Sequence, residues 1–392
     1  MGWKYLAVIY GDLHIHIGRT SQGRGVKITA SPQLTLDNIP KTARQKGLGL
    51  LGIVDAATSG VLCDLKQLLK EGELKPLAGG GYQWQGITLF LGHEVELAHS
   101  TGKEAHFLAY FPDLERLENY ATKLSPWVTN PSLSTQRLKV GPDAWLQMVV
   151  ENGGVTLAAH AFTPHKGVYG NCVRRLGEMF TDPHLIKGLE LGLSANTDMA
   201  LQISDTHRYA YVSNSDAHSL GTISREFTAY DLPAVNFEEW IHALAHNGQG
   251  IVATHGLEPL LGKYYRSFCR KCQFLANEDY PLLECPRCKQ PMIIGVWDRL
   301  REIKDSTAKA QKRPPYRSHV PLLMLPGVGP KFYGELTKKL GTEREIMYTV
   351  ALETIADVAG TALARQIEAV RLGNLPMLPG GGGKYGRVTK VK

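Results

Sequence analysis

Short apolar runs recur along the first two thirds of the chain, and most of them end in residues that can bind a metal ion or transfer a proton. The first run, LAVIY, leads within a few residues to Asp12, His14 and His16. Later, LGLLGIV ends next to Asp55, ITLFLG runs into Glu94 and Glu96, GVTLAA ends at His160, and YAYVSNS leads to Asp216 and His218. Apolar runs of roughly four to eight residues are typical of buried β-strands. The pattern predicts strands whose carboxyl ends carry chemically active side chains.

Between these strands lie stretches with helical spacing, such as LDNIPKTARQKG and PDAWLQMVVENGG. In a closed parallel barrel the carboxyl ends of all strands meet on one rim, where catalytic groups gather from distant parts of the sequence. We therefore interpret residues 1 to about 262 as a barrel with a polynuclear metal site. An open doubly wound sheet is the alternative, because it also collects side chains at the carboxyl ends of its strands.

His14 and His16 carry the strongest chemical signal. Alternate side chains of a strand share a face, so the two imidazoles point to one place. A single buried histidine is usually structural, but a spaced pair beside Asp12 favours metal binding. Asp12 either orients a histidine or caps a turn. Glu96 shares a strand face with Glu94 and is a further ligand, a base or a surface charge.

The predicted ligands also indicate a reaction class. Imidazole and carboxylate ligands together suit Zn²⁺, Mn²⁺ or Fe²⁺ better than a Mg²⁺ site made only of oxygen atoms, although Mg²⁺ is a further candidate requirement for activity. Two neighbouring cations lower the pKa of a water and clamp the attacking and leaving oxygens of a phosphodiester. The pattern therefore predicts metal-dependent hydrolysis of a phosphate ester.

Charge is distributed unevenly along the 392-residue chain. Residues 1–262 contain 21 Lys and Arg against 25 Asp and Glu, a net charge of −4, whereas residues 263–392 contain 23 against 12, a net charge of +11. Thirteen of the fourteen histidines lie in the acidic part. This division predicts a metal-binding catalytic body followed by a segment that is attracted to a polyanion. A basic surface that serves only solubility is the alternative.

The sequence contains no signal for a membrane. No apolar run approaches the ~20 residues that a membrane span needs, and the first ten residues lack the features of a signal peptide. We therefore expect a cytoplasmic monomer that has no membrane partner.

Four of the six cysteines form two C-x-x-C pairs, CRKC and CPRC, with twelve residues between the pairs. Two such knuckles supply four thiolates to a tetrahedral zinc ion, and a site without an open position is structural. This spacing in a cytoplasmic chain disfavours disulfide bonds. The predicted ligands of one structural Zn²⁺ are Cys269, Cys272, Cys285 and Cys288.

The last third contains two candidate DNA-binding segments. LPGVGPKFYGELTKKLG places Gly327, Gly329 and Lys331 at the start of a helical pattern, where backbone N–H groups can approach a phosphate. It resembles the hairpin of helix-hairpin-helix DNA-binding proteins, although two nearby prolines leave little room for a preceding helix, and a plain turn is the alternative. The final PGGGGKYGRVTKVK lacks the spacing of a P-loop and is either a flexible basic tail or a glycine loop that places Lys384 against DNA.

Taken in order, DLHIH, GIVDAATSG, GHEVEL, EAHFLAYF, His160 and NSDAHS resemble the motifs of the polymerase and histidinol phosphatase (PHP) family. The resemblance implies a distorted barrel of seven strands that binds two or three metal ions. Carried over residue by residue, it implies the metal ligands His14, His16, Asp55, Glu94, His106, His160, Asp216 and His218, and catalytic roles for His14, Glu94, Asp216 and His218. One departure puts the third ion in question: Ala56 follows Asp55, where many members have a histidine.

A narrower resemblance lies in HAFTPHKGVYG, LELGLSANTDMA and GLEPLLGKYYRSFCRKC, which together resemble the endonuclease Q group of that family. It implies a DNA repair endonuclease that hydrolyses the phosphodiester on the 5′ side of deaminated bases (uracil, hypoxanthine, xanthine) and of abasic sites, in double- or single-stranded DNA. Such an enzyme is expected to extrude the damaged base from the duplex. His165, in the segment peculiar to this group, is a candidate DNA contact.

The complete expectation is an α/β protein of three parts. Residues 1–262 form a distorted (β/α)7 PHP barrel with the metal-dependent active site, residues 263–298 a small zinc-binding domain with four cysteine ligands, and residues 299–392 a helical, basic domain with the hairpin-like DNA-binding segment. Two other functions remain open. A PHP phosphoesterase that acts on a small phosphate ester does not explain the zinc cysteines or the basic last third, and a non-catalytic DNA-binding accessory module does not explain the complete ligand set.

Overall fold

The fold is described from a computed structural model, for residues 8–245, 250–278, 280–305 and 313–389. The start of the first predicted strand, residues 6 and 7, lies outside these ranges. The strands are β1 (Ile9–Ile15), β2 (Leu50–Ile53), β3 (Leu74–Pro76), β4 (Tyr82–Trp84), β5 (Ile87–Ala98), β6 (Glu104–Phe111), β7 (Val155–Ala158), β8 (Ile186–Glu190), β9 (Ala210–Val212), β10 (Phe227–Tyr230), β11 (Ile251–Leu257), β12 (Tyr316–His319), β13 (Met377–Leu378) and β14 (Arg387–Val388). The helices are α1 (Ile39–Lys46), α2 (Ser59–Lys70), α3 (Leu114–Leu124), α4 (Pro142–Glu151), α5 (Thr197–Ala200), α6 (Phe237–Ala245), α7 (Val296–Ile303), α8 (Pro330–Leu340), α9 (Glu343–Tyr348), α10 (Leu352–Ala359) and α11 (Thr361–Arg371).

One curled sheet organises the barrel segment. Its strands follow the order β12-β11-β10-β1-β2-β5-β6-β7-β8-β9, and the β3–β4 hairpin pairs with β5. A bridge between Ile15 and Ala217 brings the chain after β9 back to β1. The strands β1, β2, β5, β6, β7, β8 and β9 therefore enclose a common interior. This arrangement confirms the predicted distorted barrel of seven strands.

The expectation of an all-parallel barrel was wrong for one of these strands. β6 runs antiparallel to both β5 and β7. The physical reason is the connection between β5 and β6, which contains only residues 99–103. A parallel pair needs a crossover of a dozen or more residues, so a connection this short produces a hairpin. The start of β6 consequently lies on the rim where the parallel strands end.

Helices cover the outer face of the sheet because their apolar residues recur at helical spacing. In α3 the buried residues are Leu114, Leu117, Tyr120 and Leu124, which lie on one side of the helix. The helix begins where the side chain of Asp113 accepts a hydrogen bond from the backbone N–H of Arg116. The predicted helices LDNIPKTARQKG and PDAWLQMVVENGG correspond to α1 and α4.

The basic last third packs against the barrel at several points. Helix α7 contributes Val296, Leu300 and Ile303 to the large apolar cluster of the barrel, and β12 extends the sheet by pairing with β11. Helices α8 to α11 have an apolar cluster of their own. A buried ion pair joins α1 to α9, with Lys46 Nζ 2.8 Å from a carboxylate oxygen of Glu343. Contacts therefore cross both positions, 262 and 298, at which the sequence suggested domain boundaries.

The described residues include no helix with the length and apolar character of a membrane span.

Two buried histidines lie at the edge of the sheet that α9 covers. The ring of His255 stacks on Phe227 with centroids 4.5 Å apart, and Nδ1 of His319 lies 2.5 Å from the hydroxyl of Tyr348. Burial lowers the pKa of His255 to about 3 and that of His319 to about 4. Both imidazoles are therefore neutral in the folded chain at pH values where a histidine in the unfolded chain, with a pKa of about 6.5, becomes charged.

We predict that the protein loses stability as the pH falls from about 6.5 towards 4.5, because only the unfolded chain then binds protons at these positions. The free energy of unfolding should decrease between pH 7 and pH 5 by about 2 kcal/mol less in His255→Phe than in the unchanged chain. Urea unfolding at several pH values measures this difference, with His184→Phe on the surface as the control. Identical pH dependence in His255→Phe and the unchanged chain would contradict the prediction.

Candidate active site

The end of β1 places two imidazoles inside the barrel rim. His14 and His16 are completely buried. Nδ1 of His14 lies 3.0 Å from a carboxylate oxygen of Glu190, and Nδ1 of His16 lies 3.0 Å from a carboxylate oxygen of Asp55. A carboxylate accepts a hydrogen bond, so each imidazole carries a proton on Nδ1. This arrangement leaves both Nε2 atoms to act as ligands.

Glu94 lies at the centre of the site and is 1% exposed. Its Oε1 atom lies 3.0 Å from His106 Nδ1, 3.4 Å from His14 Nε2 and 3.5 Å from His160 Nε2. Its Oε2 atom lies 3.4 Å from His16 Nε2. Four of the predicted ligands therefore converge on one buried carboxylate.

Asp216 and His218 reach the same place from the chain that follows β9. Oδ1 of Asp216 lies 3.4 Å from His14 Nε2, 3.3 Å from His16 Nε2 and 3.4 Å from His218 Nδ1. The backbone has a positive φ at two predicted ligands, 48° at Asp216 and 30° at His160. Residues with a side chain rarely adopt this conformation, and such strain is often found at functional sites.

Two buried nitrogen atoms indicate where a metal ion fits. Nε2 of His14 and Nε2 of His16 have no hydrogen-bond partner among the described residues. Candidate ligand atoms within 4.8 Å of one another form three groups: His14, His16 and Glu94; Glu94, His106 and His160; and His16, Asp216 and His218. The distances between imidazole and carboxylate atoms in these groups are 3.0 to 3.5 Å, close to the edge of about 3.4 Å of a tetrahedron with ligand bonds of about 2.1 Å. The donor set therefore fits divalent transition-metal ions.

His16 limits how many ions these groups can hold together. Its Nε2 atom has one lone pair and its Nδ1 atom is bonded to Asp55, so it can be a ligand in only one of the two groups that contain it. The two oxygens of Glu94 face different neighbours, Oε1 towards His106 and Oε2 towards His16. Glu94 would therefore help to hold more than one divalent ion.

Asp55 does not belong to any of these groups. Its carboxylate accepts hydrogen bonds from the backbone N–H of Ile17 at 2.6 Å and from the far side of the His16 ring. This position behind His16 suits a residue that orients a ligand, and a direct bond from Asp55 to a metal ion stays a prediction. The carboxylate of Asp12 accepts the backbone N–H groups of Ser215 and Ser224, ties the chain after β9 to β1, and has no hydrogen bond to an imidazole within the described ranges.

Sequence reasoning missed two residues of the site. Glu190, at the end of β8, accepts hydrogen bonds from His14, from the backbone N–H of His160 at 2.9 Å and from Asn214 at 2.8 Å. Its position at the carboxyl end of β8, where the other acidic residues of the site also follow strands, is the sequence signal that could have identified it. Lys27 Nζ lies 3.0 Å from Glu94 Oε2, and no local pattern distinguishes this lysine from others in the loop after β1.

A cavity of about 780 Å³ opens directly onto these side chains. Four cationic side chains line it: Lys27, Lys166, Arg225 and Lys263. Glu96 also lines it and faces the ligands, with one carboxylate oxygen 3.3 Å from His106 Nε2 and 2.9 Å from Lys166 Nζ. A cavity with a metal-binding floor and basic walls suits an anionic substrate.

The four paired cysteines lie close together. Their sulfur atoms are within 4.8 Å of one another, and the pairs Cys269–Cys288 and Cys272–Cys285 are each 3.4 Å apart. A disulfide bond would need about 2.05 Å, so these are free thiols. Gln273 and Lys289, the residues after each knuckle, both have a positive φ. The two knuckles thus have the same turn and fit one tetrahedral metal ion.

Comparison with known proteins identifies the family. No family model matches the chain. The chain is 41% identical over 387 residues to the protein YqxK of Bacillus subtilis, which covers 97% of this chain and 99% of that protein. The structure of PfuEndoQ, a lesion-specific endonuclease from Pyrococcus furiosus, is 31% identical, with a TM-score of 0.83 over 98% of this chain and 96% of that one. The chain belongs to the endonuclease Q family.

A second endonuclease Q structure is equally similar. It is a complex with a 27-mer duplex that has an abasic lesion at the active site, and it is 31% identical, with a TM-score of 0.84 over 98% of this chain and 97% of that one. Membership in the endonuclease Q family makes this chain a PHP-fold endonuclease.

The residues that the sequence suggested as DNA contacts of an endonuclease Q are spread over the molecule. His165 is exposed and lines the active-site cavity. Gly329 caps α8, which begins at Pro330, and Gly327 has a φ of 90° with open space around it. In place of a preceding α-helix there is a single 3-10 turn at Leu322–Met324. The side chains of Lys331 and Lys384 are exposed.

We predict that Glu190→Gln weakens metal binding by this chain by about 10- to 100-fold. The amide has only one acceptor oxygen, so it cannot hold the His14 ring, the His160 backbone and Asn214 at once. Titration of the metal-free chain with Mn²⁺ or Zn²⁺ gives the affinity, and Glu151→Gln on the surface is the control. Equal affinity in Glu190→Gln and Glu151→Gln would show that Glu190 does not position the ligands.

Proposed function

We propose that this chain is a metal-dependent DNA repair endonuclease that cuts on the 5′ side of deaminated bases (uracil, hypoxanthine, xanthine) and of abasic sites. The observation that carries the proposal is the cluster of imidazoles and carboxylates around Glu94 at the floor of a basic cavity. The related endonuclease Q that holds a duplex with an abasic lesion at its active site supports this choice of substrate. The family favours this function over the two alternatives that the sequence left open.

We assign the direct ligands to seven of the eight predicted residues: His14, His16, Glu94, His106, His160, Asp216 and His218. Asp55 and Glu190 hold the rings of His16 and His14. Bound divalent ions, for which Zn²⁺, Mn²⁺ and Fe²⁺ are the candidates, supply Lewis acidity that activates water and neutralises charge on the phosphodiester. These residues therefore build the hydrolytic site.

The basic side chains of the cavity would bind and orient the DNA backbone. Lys263 lines the cavity and would contact a phosphodiester that approaches the ligands, whereas Lys166, which also lines it, is paired with Glu96 and Glu104. Lys27 contacts Glu94 and balances part of the negative charge of the buried ligands. Such contacts position a duplex but carry no information about the damaged base.

A second cavity is the candidate position for an extruded base. It has a volume of about 530 Å³ and shares His165 with the active-site cavity. Asn171 and Arg270 supply hydrogen-bonding groups, and Met292 and Ile294 from the cysteine segment supply apolar surface. A pocket with a few polar groups on apolar walls suits the recognition of a flipped base. Its position beside the active-site cavity is consistent with cutting next to the lesion.

We also propose that the three parts of the chain have the separate functions that the sequence suggested. Residues 1–262 form the catalytic barrel, residues 263–298 bind zinc, and residues 299–392 bind DNA. The clustered cysteines and the basic charge of the last third support it. The packing of α7 on the barrel and the pairing of β12 with β11 mean that these parts act as one unit.

Cleavage of defined duplexes tests the function. We expect end-labelled duplexes with a single uracil, hypoxanthine, xanthine or abasic site to be cut on the 5′ side of the lesion, and undamaged duplex to remain intact. Asp216→Asn should lower the cleavage rate by more than about a hundredfold, because it removes a direct ligand, whose loss costs more than that of a residue that only positions one. Binding should persist, because the basic surface is unchanged.

Asp37→Asn on the surface is the control for this experiment and should cut at the normal rate. A chain that cleaves histidinol phosphate but no lesion duplex would refute the proposed function. Loss of folding in Asp216→Asn, seen as a lowered unfolding midpoint, would mean that Asp216 is structural. An intact fold with unimpaired cleavage would remove it from the active site.

The cysteine cluster makes a separate prediction. Cys272→Ser should release one tightly bound zinc ion per chain and loosen residues 263–298, because the apolar cluster there is small and depends on the cross-link. Metal analysis and limited proteolysis measure the two effects. Cys63→Ser, at an exposed free thiol, should leave both unchanged. Full zinc content in Cys272→Ser would show that the cluster does not hold the ion.

A further inference from the structure

Two neighbouring cations, Arg225 and Lys263, line the active-site cavity. Neither forms an ion pair with a carboxylate in the described part of the chain. Burial and the charge of Arg225 lower the pKa of Lys263. Two partly buried cations side by side repel each other, so an anion between them would be favourable.

Arg225 is fixed beside the metal ligands by backbone contacts. Its Nε atom donates a hydrogen bond to the carbonyl oxygen of Ser215 at 2.7 Å, and Nη2 donates to the carbonyl oxygen of Asp216 at 3.3 Å. The guanidinium group also donates to the hydroxyl of Tyr385. Since a guanidinium group has five N–H donors, two remain for a ligand. An anion bound there would lie next to, but not on, the ligand Asp216.

The C-terminal glycine segment completes this corner of the cavity. Gly383 N–H donates to the carbonyl oxygen of Lys263 at 3.1 Å, and Gly386 N–H donates to that of Leu261 at 2.9 Å. A Cβ atom on Gly386 would lie 2.5 Å from the carbonyl oxygen of Leu378, so a larger residue could not pack here. The segment thereby holds Tyr385 in place, with its ring centroid 5.6 Å from Lys263 Nζ.

Tyr264 forms the other wall. Lys263 Nζ lies 5.0 Å from the centroid of its ring, and the same ring packs edge-on against His165 at 4.5 Å. No hydrogen bond uses the ammonium group of Lys263 among the described residues, which leaves three donors. The corner thus combines free N–H donors and positive charge with aromatic walls, as in grooves that bind a nucleic-acid backbone.

We propose that Arg225, Lys263 and Tyr385 form a subsite that binds a DNA phosphate adjacent to the one at the metal ligands. This inference rests on the proposed function, because it requires a polynucleotide substrate. The subsite fits a phosphate better than a base, since Arg225 and Lys263 together have five free donors and a phosphate supplies acceptor oxygens on several sides. It also gives the C-terminal glycine segment a role, which is to form a wall of the active site.

The experiment combines a protein variant with a modified DNA. Lesion duplexes each receive one methylphosphonate, which is uncharged, at successive linkages around the lesion, and their affinities are measured for the full-length protein without a cleavage step. We expect one linkage next to the cut site at which the modification weakens binding by about tenfold in the unchanged chain. Lys263→Gln should bind unmodified duplex about tenfold more weakly than the unchanged chain. A methylphosphonate at that linkage should not weaken its binding further. The slope of log K against log salt concentration should be flatter by about 0.9 in this variant.

Two further variants complete the design. Lys263→Arg keeps the charge and should restore binding, which a purely structural role of Lys263 would not explain, while Lys41→Gln on the surface of α1 should behave like the unchanged chain. Equal methylphosphonate penalties at every linkage in Lys263→Gln and the unchanged chain would overturn the subsite. If no duplex is cleaved but the methylphosphonate penalty disappears in Lys263→Gln as expected, the proposed endonuclease activity is refuted and the subsite stands. Absence of duplex binding would refute both.

Discussion

The burial of one carboxylate, that of Glu94, is the constraint on which the site depends. An isolated charge in this position would be very unfavourable, because burial removes its water. Four imidazoles and the ammonium group of Lys27 surround it instead. Although burial alone would raise the pKa of Glu94, Lys27 and His106 hold it well below its usual range. A carboxylate that stays charged would help to hold divalent cations, and the surrounding strands bring the neighbouring imidazoles within reach of it.

The reversal of β6 is what allows the barrel to surround Glu94. In register, Glu96 on β5 lies opposite His106 on β6, and Glu94 lies opposite Leu108. If β6 ran parallel to β5, its first residues would lie at the other end of the sheet, far from the ligands. The hairpin instead brings His106 to the rim, and His160 reaches the same rim from the end of β7 through a turn with positive φ. Local strain and one reversed strand thus allow ligands from distant segments to meet.

The sequence predicted which side chains of the dense motifs come together, because alternation along a strand places His14 and His16 on one face. It could not place Asp55 behind the His16 ring, since a carboxylate at a strand end can either bind a metal or orient a histidine that does. The sequence did not identify Glu190 as a site residue because it is a single acid among apolar residues. Only the folded barrel brings its carboxylate to 3.0 Å from His14 Nδ1. The strand reversal followed from a short connection, whereas the contact of Arg225 with Tyr385 joins residues too distant in sequence for any local pattern to reveal.

The acidic first part and the basic last third of the chain are not separately packed domains. The basic last third supplies Lys263 and Tyr264 to the lining of a cavity whose floor belongs to the acidic barrel, and the ring centroid of Tyr385 lies 5.6 Å from Lys263 Nζ. The buried pair of Lys46 and Glu343 joins the two regions, and breaking such a pair typically costs about 3–5 kcal/mol because a buried charge is left without a partner. Separation of the regions would also remove β12 from the edge of β11. Residues of the basic last third therefore form part of the wall of the cavity next to the cluster of imidazoles and carboxylates.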